Sequence, residues 1–325
     1  MHVENNVVSV SGGKDSTALL LLAIENEATN LTAVFADTGN EHPLTYEYLD
    51  YLERTTGITI QRIRADFTIQ IARRRQMMQN VIDGTHKNQG RYEWTADIAR
   101  RALDVLHPTG NPFLDMCLVH GRFPSTMVAF CSKELKRDQL TNQVHRPLLA
   151  QGSDVISWQG VRRDESPKRA LLAAKEYVLT DNTGGELWNY RPILDWNAEQ
   201  CFEVHRRHKV EPNPLYSMGM ARVGCMPCIN ARKDELLEIS KRFPEELERI
   251  AAWERLVSQV SKCDVGTFFP ASDLGARSAA EASTETHGVL ARVEWAKTSR
   301  GGHQYDLLRS DAPVELCSSI YGLCE

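Results

Sequence analysis

The chain has 325 residues, of which 42% are hydrophobic and 25% charged, with a formal net charge of -5. That is enough to bury a sizeable core in one large or two modest domains, and a mean hydropathy of -0.39 is that of a soluble globular protein. The acidic balance excludes a nucleic-acid binder driven by bulk charge, and no apolar run reaches membrane-spanning length.

The polar opening Met1-His2-Val3-Glu4-Asn5 has no signal-peptide pattern, so a cytoplasmic location and no membrane partner are expected. Eight cysteines in such a chain read as metal ligands or reactive thiols rather than disulfides. The first seventy residues alternate. Val7–Val10 predicts a strand, 16–27 a helix, Leu31–Phe35 a strand, Pro43–Thr56 a helix and Ile58–Arg64 a strand. Helices between strands imply parallel βαβ units in a doubly wound sheet, with a ligand at the carboxyl ends of the strands.

Two such ends carry chemistry. After the first strand comes Ser11-Gly12-Gly13-Lys14-Asp15-Ser16-Thr17. Two glycines let backbone approach a phosphate, and a helix start aims unpaired N–H groups and a positive dipole at an anion. Lys14 adds a point charge, and Ser11, Ser16 and Thr17 add hydroxyls. The spacing is not that of a Walker A loop. After the second strand comes Ala36-Asp37-Thr38-Gly39.

Residues 68–121 turn helical and charged, which predicts an insertion or lid over the strand ends. Arg73, Arg74, Arg75, Arg91, Arg100 and Arg101 make it locally basic. Singly, each arginine fits a solvated helix face; together they are candidates for a phosphate-bearing second substrate. The α/β pattern resumes at Phe130-Cys131-Ser132-Lys133-Glu134-Leu135-Lys136, and Val155–Gln159 predicts a strand running into Gly160-Val161-Arg162-Arg163-Asp164-Glu165-Ser166. Guanidinium forks match phosphates bidentately. Tyr190-Arg191-Pro192-Ile193-Leu194-Asp195-Trp196, Asn213-Pro214-Leu215-Tyr216 and Gly224-Cys225-Met226-Pro227-Cys228 follow. Residues 232–260 predict two amphipathic helices split at Phe243-Pro244, and the Ala/Ser-rich segment Ser272–Thr286 a loop.

The first loop resembles the SGGxDS signature of PP-loop ATP pyrophosphatases. The series SGGKDST, ADTG, CxxxLK, GxRRDES, RPIxxW, NPLYxxG and GCMPC, over about residues 5 to 235, resembles the phosphoadenosine phosphosulfate (PAPS) reductase-like family of that superfamily. The family includes PAPS and adenosine phosphosulfate (APS) reductases and the ATP pyrophosphatases of DNA phosphorothioation. The resemblance implies an adenine nucleotide hydrolase-like α/β fold, with a nucleotide-binding domain over 1–210 and a cysteine-bearing C-terminal region over 211–325. It implies ATP and Mg2+ held by Ser11, Gly12, Gly13, Lys14, Asp15, Ser16, Asp37, Arg162 and Arg163. Of these, Lys14, Asp15, Arg162 and Arg163 are the catalytic candidates, and Arg191 is a binding or anchoring candidate.

The C-x2-C of Cys225 and Cys228 and the C-x6-C of Cys317 and Cys324 together suit an iron–sulfur cluster or structural zinc. The likeness to sulfur-handling enzymes favours a 4Fe-4S cluster, with Zn2+ the alternative. Cluster-type reductases carry a Cys-Cys pair where this chain has Cys131-Ser132, and cluster-free ones end in Cys-Gly-Leu-His where this chain ends in Cys324-Glu325. Cys117, Cys201 and Cys263 read as plain buried residues. The implied activity is cleavage of ATP to AMP and pyrophosphate to activate an acceptor for sulfur transfer. A sulfur donor such as a cysteine desulfurase and a nucleic-acid acceptor on the basic face are the implied partners. The alternatives are PAPS or APS reduction with Cys324 as nucleophile, and a nucleotide-sensing partner protein without turnover.

Overall fold

In the computed structural model the described residues are 3–87 and 92–298. Six strands, β1 (Glu4–Ser9), β2 (Leu31–Asp37), β3 (Ile60–Arg64), β4 (Asp154–Trp158), β5 (Lys175–Thr180) and β6 (Glu186–Tyr190), form one sheet in the order β3-β2-β1-β4-β6-β5. All neighbours are parallel except β5 and β6. The expected doubly wound sheet is present, with an antiparallel edge. Strand β1 begins at Glu4, earlier than its apolar run, because Glu4 and Asn5 still pair with Asp154 and Val155; backbone pairing, not hydrophobicity, sets that end.

Both faces of the sheet are covered, and the strand residues alternate accordingly. Val7, Val34, Ile63, Val155 and Leu187 pack beneath one long helix, α6 (132–149), through Val144 and Leu149. That helix contains two stretches of π-helix, Ser132–Arg137 and Thr141–His145. Val8, Phe35, Ile156 and Trp158 pack on the opposite face against α1 (Lys14–Glu25), α2 (Pro43–Thr56) and α7 (Ala198–Arg207). Local signals start α2 as predicted: His42 accepts a hydrogen bond from Leu44 N, and Pro43 sits at the first helical position.

The insertion holds α3 (Thr68–Ile82), α4 (Ala96–Val105) and α5 (Pro112–His120). Thr95 caps α4 through Ile98 N, and Asn111 caps α5 through Leu114 N. The predicted C-terminal helices are α8 (Lys233–Arg242) and α9 (Pro244–Gln259), followed by α10 (Val289–Ala296). They share one core with the insertion: Met78, Ala99, Phe113 and Met116 are buried in the same cluster as Ile250, Trp253, Val257 and Val293. Phe113 stacks on Trp253 with ring centroids 5.7 Å apart. Gly121, which ends α5, lies so close to the Val260 carbonyl that a Cβ there would sit 2.6 Å from it. Among the described residues no helix is long and apolar enough to cross a membrane.

Candidate nucleotide site

The order of strands reverses between β1 and β4, and the crevice outside such a switch point is where open α/β sheets bind ligands. The loop after β1 lies there; the loop after β2 lies at the carboxyl end of the next strand over. Gly12 has φ +75°, a left-handed conformation that glycine adopts freely. Ser16 holds the turn from within: its hydroxyl donates to Gly13 O at 3.0 Å and accepts from Ser11 N at 3.0 Å. The Ser16 hydroxyl expected to face a phosphate therefore stabilises the loop itself. Thr17 is fully buried.

The loop is also clamped from behind. Tyr216 Oη accepts from Lys14 N at 2.8 Å, Asn213 Nδ2 donates to Gly12 O at 3.2 Å, and His205 Nε2 lies 2.9 Å from Lys14 O. Burial pushes the His205 pKa down, which keeps it neutral. The sequence marked Asn213 and Tyr216 as part of a motif series but with no role; their contact with residues 200 positions away is not written in local periodicity. With Lys14 N engaged, the later first-turn N–H groups remain the helix end's anion-facing donors.

Asp15 sits between two cations. Its Oδ2 is 3.3 Å from Lys14 Nζ, and its Oδ1 is 2.8 Å from Arg162 Nε. The Cys201 thiol donates to the same Oδ1 at 3.3 Å, and burial raises its pKa strongly. Cys201 is thus not a plain core residue: it touches the loop's acid. Arg162 is buried and also pairs with Asp164 at 2.7 Å. Arg163 is not brought to this cluster. It is more exposed and reaches outward to Asp195 at 2.6 Å and to the Ala170 carbonyl. Arg191 is buried and holds Gln159 Oε1 at 2.9 Å, Ala173 O at 2.8 Å and Glu176 at 2.7 Å. Its role is to anchor the chain.

At the end of β2, Asp37 accepts from Gly39 N at 2.9 Å and Tyr46 Oη at 2.7 Å, and pairs with Arg64 at 3.0 Å. The Cys225–Cys228 loop is zipped to the same strand end. Met226 N donates to Asn40 O at 2.7 Å, Asn40 Nδ2 donates to Pro227 O at 3.0 Å, and Glu41 and Cys225 form a β-bridge. Cys225 Sγ lies 3.4 Å from Thr38 Oγ1 and 3.7 Å from Glu41 Oε1. Burial pushes the Cys225 thiol up to about 12. Cys131, the residue before α6, has its thiol pKa raised by burial first and by the nearby Cys228 second. Charge attraction to Cys225 above all, with Glu41, Cys228 and Cys131, holds the Lys136 ammonium above its ordinary value against the opposing effect of burial.

Cys317 and Cys324 lie outside the described residues. Among the described residues no three His, Cys, Asp or Glu side chains are arranged to hold a metal ion. The six described cysteines are all free thiols.

Residues 5–231 match the family described as the phosphoadenosine phosphosulfate reductase domain. The chain is 48% identical to a 37.8 kDa protein of the gpa 5' region of Escherichia phage 186, over 98% of this chain and 96% of that protein. It is 23% identical to the phosphoadenosine 5'-phosphosulfate reductase of Sodalis glossinidius, over 69% of this chain and 70% of that one. A solved PAPS reductase from Candida auris, in a phosphate complex, covers 69% of this chain and 82% of its own at 15% identity, with a TM-score of 0.38.

Proposed function

Because the chain belongs to the phosphoadenosine phosphosulfate reductase domain family, we propose that it cleaves ATP between the α and β phosphates and uses the adenylate to activate an acceptor for sulfur transfer. The observation that carries this is the cluster at the switch point, where Lys14 and Arg162 flank Asp15 at the N-terminus of α1. An acceptor oxygen would attack the α-phosphorus as the α–β bridge breaks, and pyrophosphate would leave with the bonding pair. Lys14 and the first-turn N–H groups would take up the charge growing on that leaving group, and a sulfur nucleophile would then displace AMP.

Bound Mg2+ would neutralise phosphate oxygens. Asp15 and Asp37 already have cationic partners, so the nucleotide's own oxygens and water would supply most of its ligands. The described thiols alone do not make a metal site; a four-cysteine centre of Cys225, Cys228, Cys317 and Cys324 belongs to the proposal, and no step depends on it. A sulfur-donor protein and a cytoplasmic setting accompany it.

The reductase names of distant relatives favour a second reading, in which the bound nucleotide carries the sulfonate and a cysteine attacks it. One experiment separates the two: purified protein is given ATP or PAPS and the products are identified. AMP and pyrophosphate from ATP support the first, and sulfite from PAPS with a dithiol reductant supports the second. Lys14→Ala should abolish whichever activity is found; an unaffected variant removes the loop from the mechanism.

A further inference from the structure

Helix α7 turns three buried side chains toward the phosphate loop. Cys201, Phe202 and His205 are each at most 1% exposed. Cys201 and His205 are four residues apart and lie one above the other on the same face, with Phe202 beside them. His205 Nε2 is 2.9 Å from Lys14 O; a carbonyl only accepts, so that nitrogen carries the proton. Phe202 packs edge-on against Tyr216 with centroids 5.6 Å apart, and Tyr216 Oη accepts from Lys14 N. The Lys14 backbone is thus gripped at both its carbonyl and its amide by α7, directly and through Tyr216. Cys201 reaches the next residue and a charged group: its thiol donates to Asp15 Oδ1 at 3.3 Å.

The position of that carboxylate matters because of what it stands between. Lys14 Nζ is 3.3 Å from Oδ2 and Arg162 Nε is 2.8 Å from Oδ1. The Arg162 Nε–H is not aligned with the oxygen and makes no hydrogen bond, so the aligned donor at Oδ1 is the thiol. Attraction between charges depends mainly on distance, whereas a hydrogen bond weakens steeply with angle and so fixes orientation. A phosphate entering the loop takes Lys14 and Arg162 as its own counter-ions and repels Asp15. A carboxylate held by those two cations alone would then be free to swing. The thiol bond depends on neither cation, and burial with the adjacent Asp15 charge keeps the thiol protonated.

We infer that Cys201 is a positioning residue for the reaction proposed above, its S–H holding the Asp15 carboxylate in place while Lys14 and Arg162 turn to the phosphates. This rests on the reading that the loop binds a nucleotide.

Two readouts on the full chain test it. Infrared difference spectra of wild type against Cys201→Ser isolate the Cys201 S–H stretch, which a hydrogen bond to a carboxylate moves to lower frequency. Asp15→Asn should move it back up, and ATP added to the wild type should leave it low. Calorimetric titration with ATP and Mg2+ is the second readout. Cys201→Ala should weaken affinity by roughly tenfold, as for one lost hydrogen bond to a charged group, while Cys201→Ser, which keeps a donor, should stay within about twofold of wild type. Serine and alanine leave similar gaps, so a difference between them reads the donor and not the packing; if Cys201→Ala does not fold, Cys201→Val carries the same expectation. Equal affinities in the donor and non-donor variants, an S–H band indifferent to Asp15→Asn, or a band that rises with ATP would overturn the inference and leave the nucleotide reading standing. Wild-type protein that binds no ATP would overturn the nucleotide reading, and this inference with it.

Discussion

Arg162 and Arg163 are adjacent in sequence but serve different places, and the backbone explains why. Arg162 has φ -122° and ψ 146°, an extended conformation in which consecutive side chains leave on opposite sides. One guanidinium turns in to Asp15 and the other out to Asp195. Arg162→Gln should cut pyrophosphate release by on the order of a hundredfold, as expected for losing a preorganised charge at the phosphates, while Arg163→Gln should change it by less than about tenfold. Single-turnover assays on both variants check this, and equal losses would contradict it. The arginine pair was legible in the sequence, but the division of labour was not, because it depends on dihedral angles that no residue type encodes.

Glu254 makes a second prediction at this scale. Burial pushes it up to about 7 even though it accepts hydrogen bonds from Phe268 N at 2.7 Å and Val289 N at 2.9 Å. A carboxyl raised in the folded state holds its proton where the unfolded chain has lost it. Stability from this group is therefore full below about 4.5 and falls as pH rises through about 7, by roughly 3 kcal/mol at most. Urea denaturation from pH 5 to 8, roughly the range of greatest change, should show this decline in wild type and lose it in Glu254→Gln. A decline that persists in the variant would assign it to other groups.

At the scale of elements, the strand–helix alternation up to β3 was readable because periodicity and caps agree with the final fold. Pro43–Thr56 is a helix over the predicted range. What was not readable is joined through space: the Cys225–Cys228 loop on the β2 end, and Tyr216 on the Lys14 amide. The β5–β6 hairpin also escaped, since β5 is exposed along its length and shows no buried face.

The loop after β2 depends on Gly39, which has φ +75° and whose added Cβ would fall 2.8 Å from Pro112 Cδ. Its carbonyl also accepts from Asn111 Nδ2 at 2.6 Å, so the loop and the start of α5 are pressed together. Gly39→Ala should destabilise by about 2 kcal/mol or more, from the left-handed backbone and the overlap together. Thermal unfolding measures it; an unchanged midpoint would mean that α5 can shift away at no cost.

At the scale of the whole molecule, the sequence suggested a nucleotide domain with an appended tail, but the burial pattern ties the insertion to the C-terminal helices. Phe113, Met116 and Leu118 of α5 are fully buried, and the surfaces they face come from Trp253, Val257 and Phe268. Sequence separation conceals such a core: the two halves each look amphipathic, and neither names its partner. A chain cut after residue 210 would leave the insertion without that partner, and would also remove Asn213 and Tyr216 from behind the phosphate loop. Each large apolar side chain uncovered costs about 2 kcal/mol, and α5 alone presents several, more than three short helices can offset by propensity. The fragment should therefore keep the sheet's β1–β2–β4 pairing while residues 68–121 lose amide protection and bind a hydrophobic dye. Hydrogen exchange with mass spectrometry on fragment and full chain decides it. Native-like protection of α3, α4 and α5 in the fragment would show that the insertion folds by itself and that the shared core only docks two finished pieces.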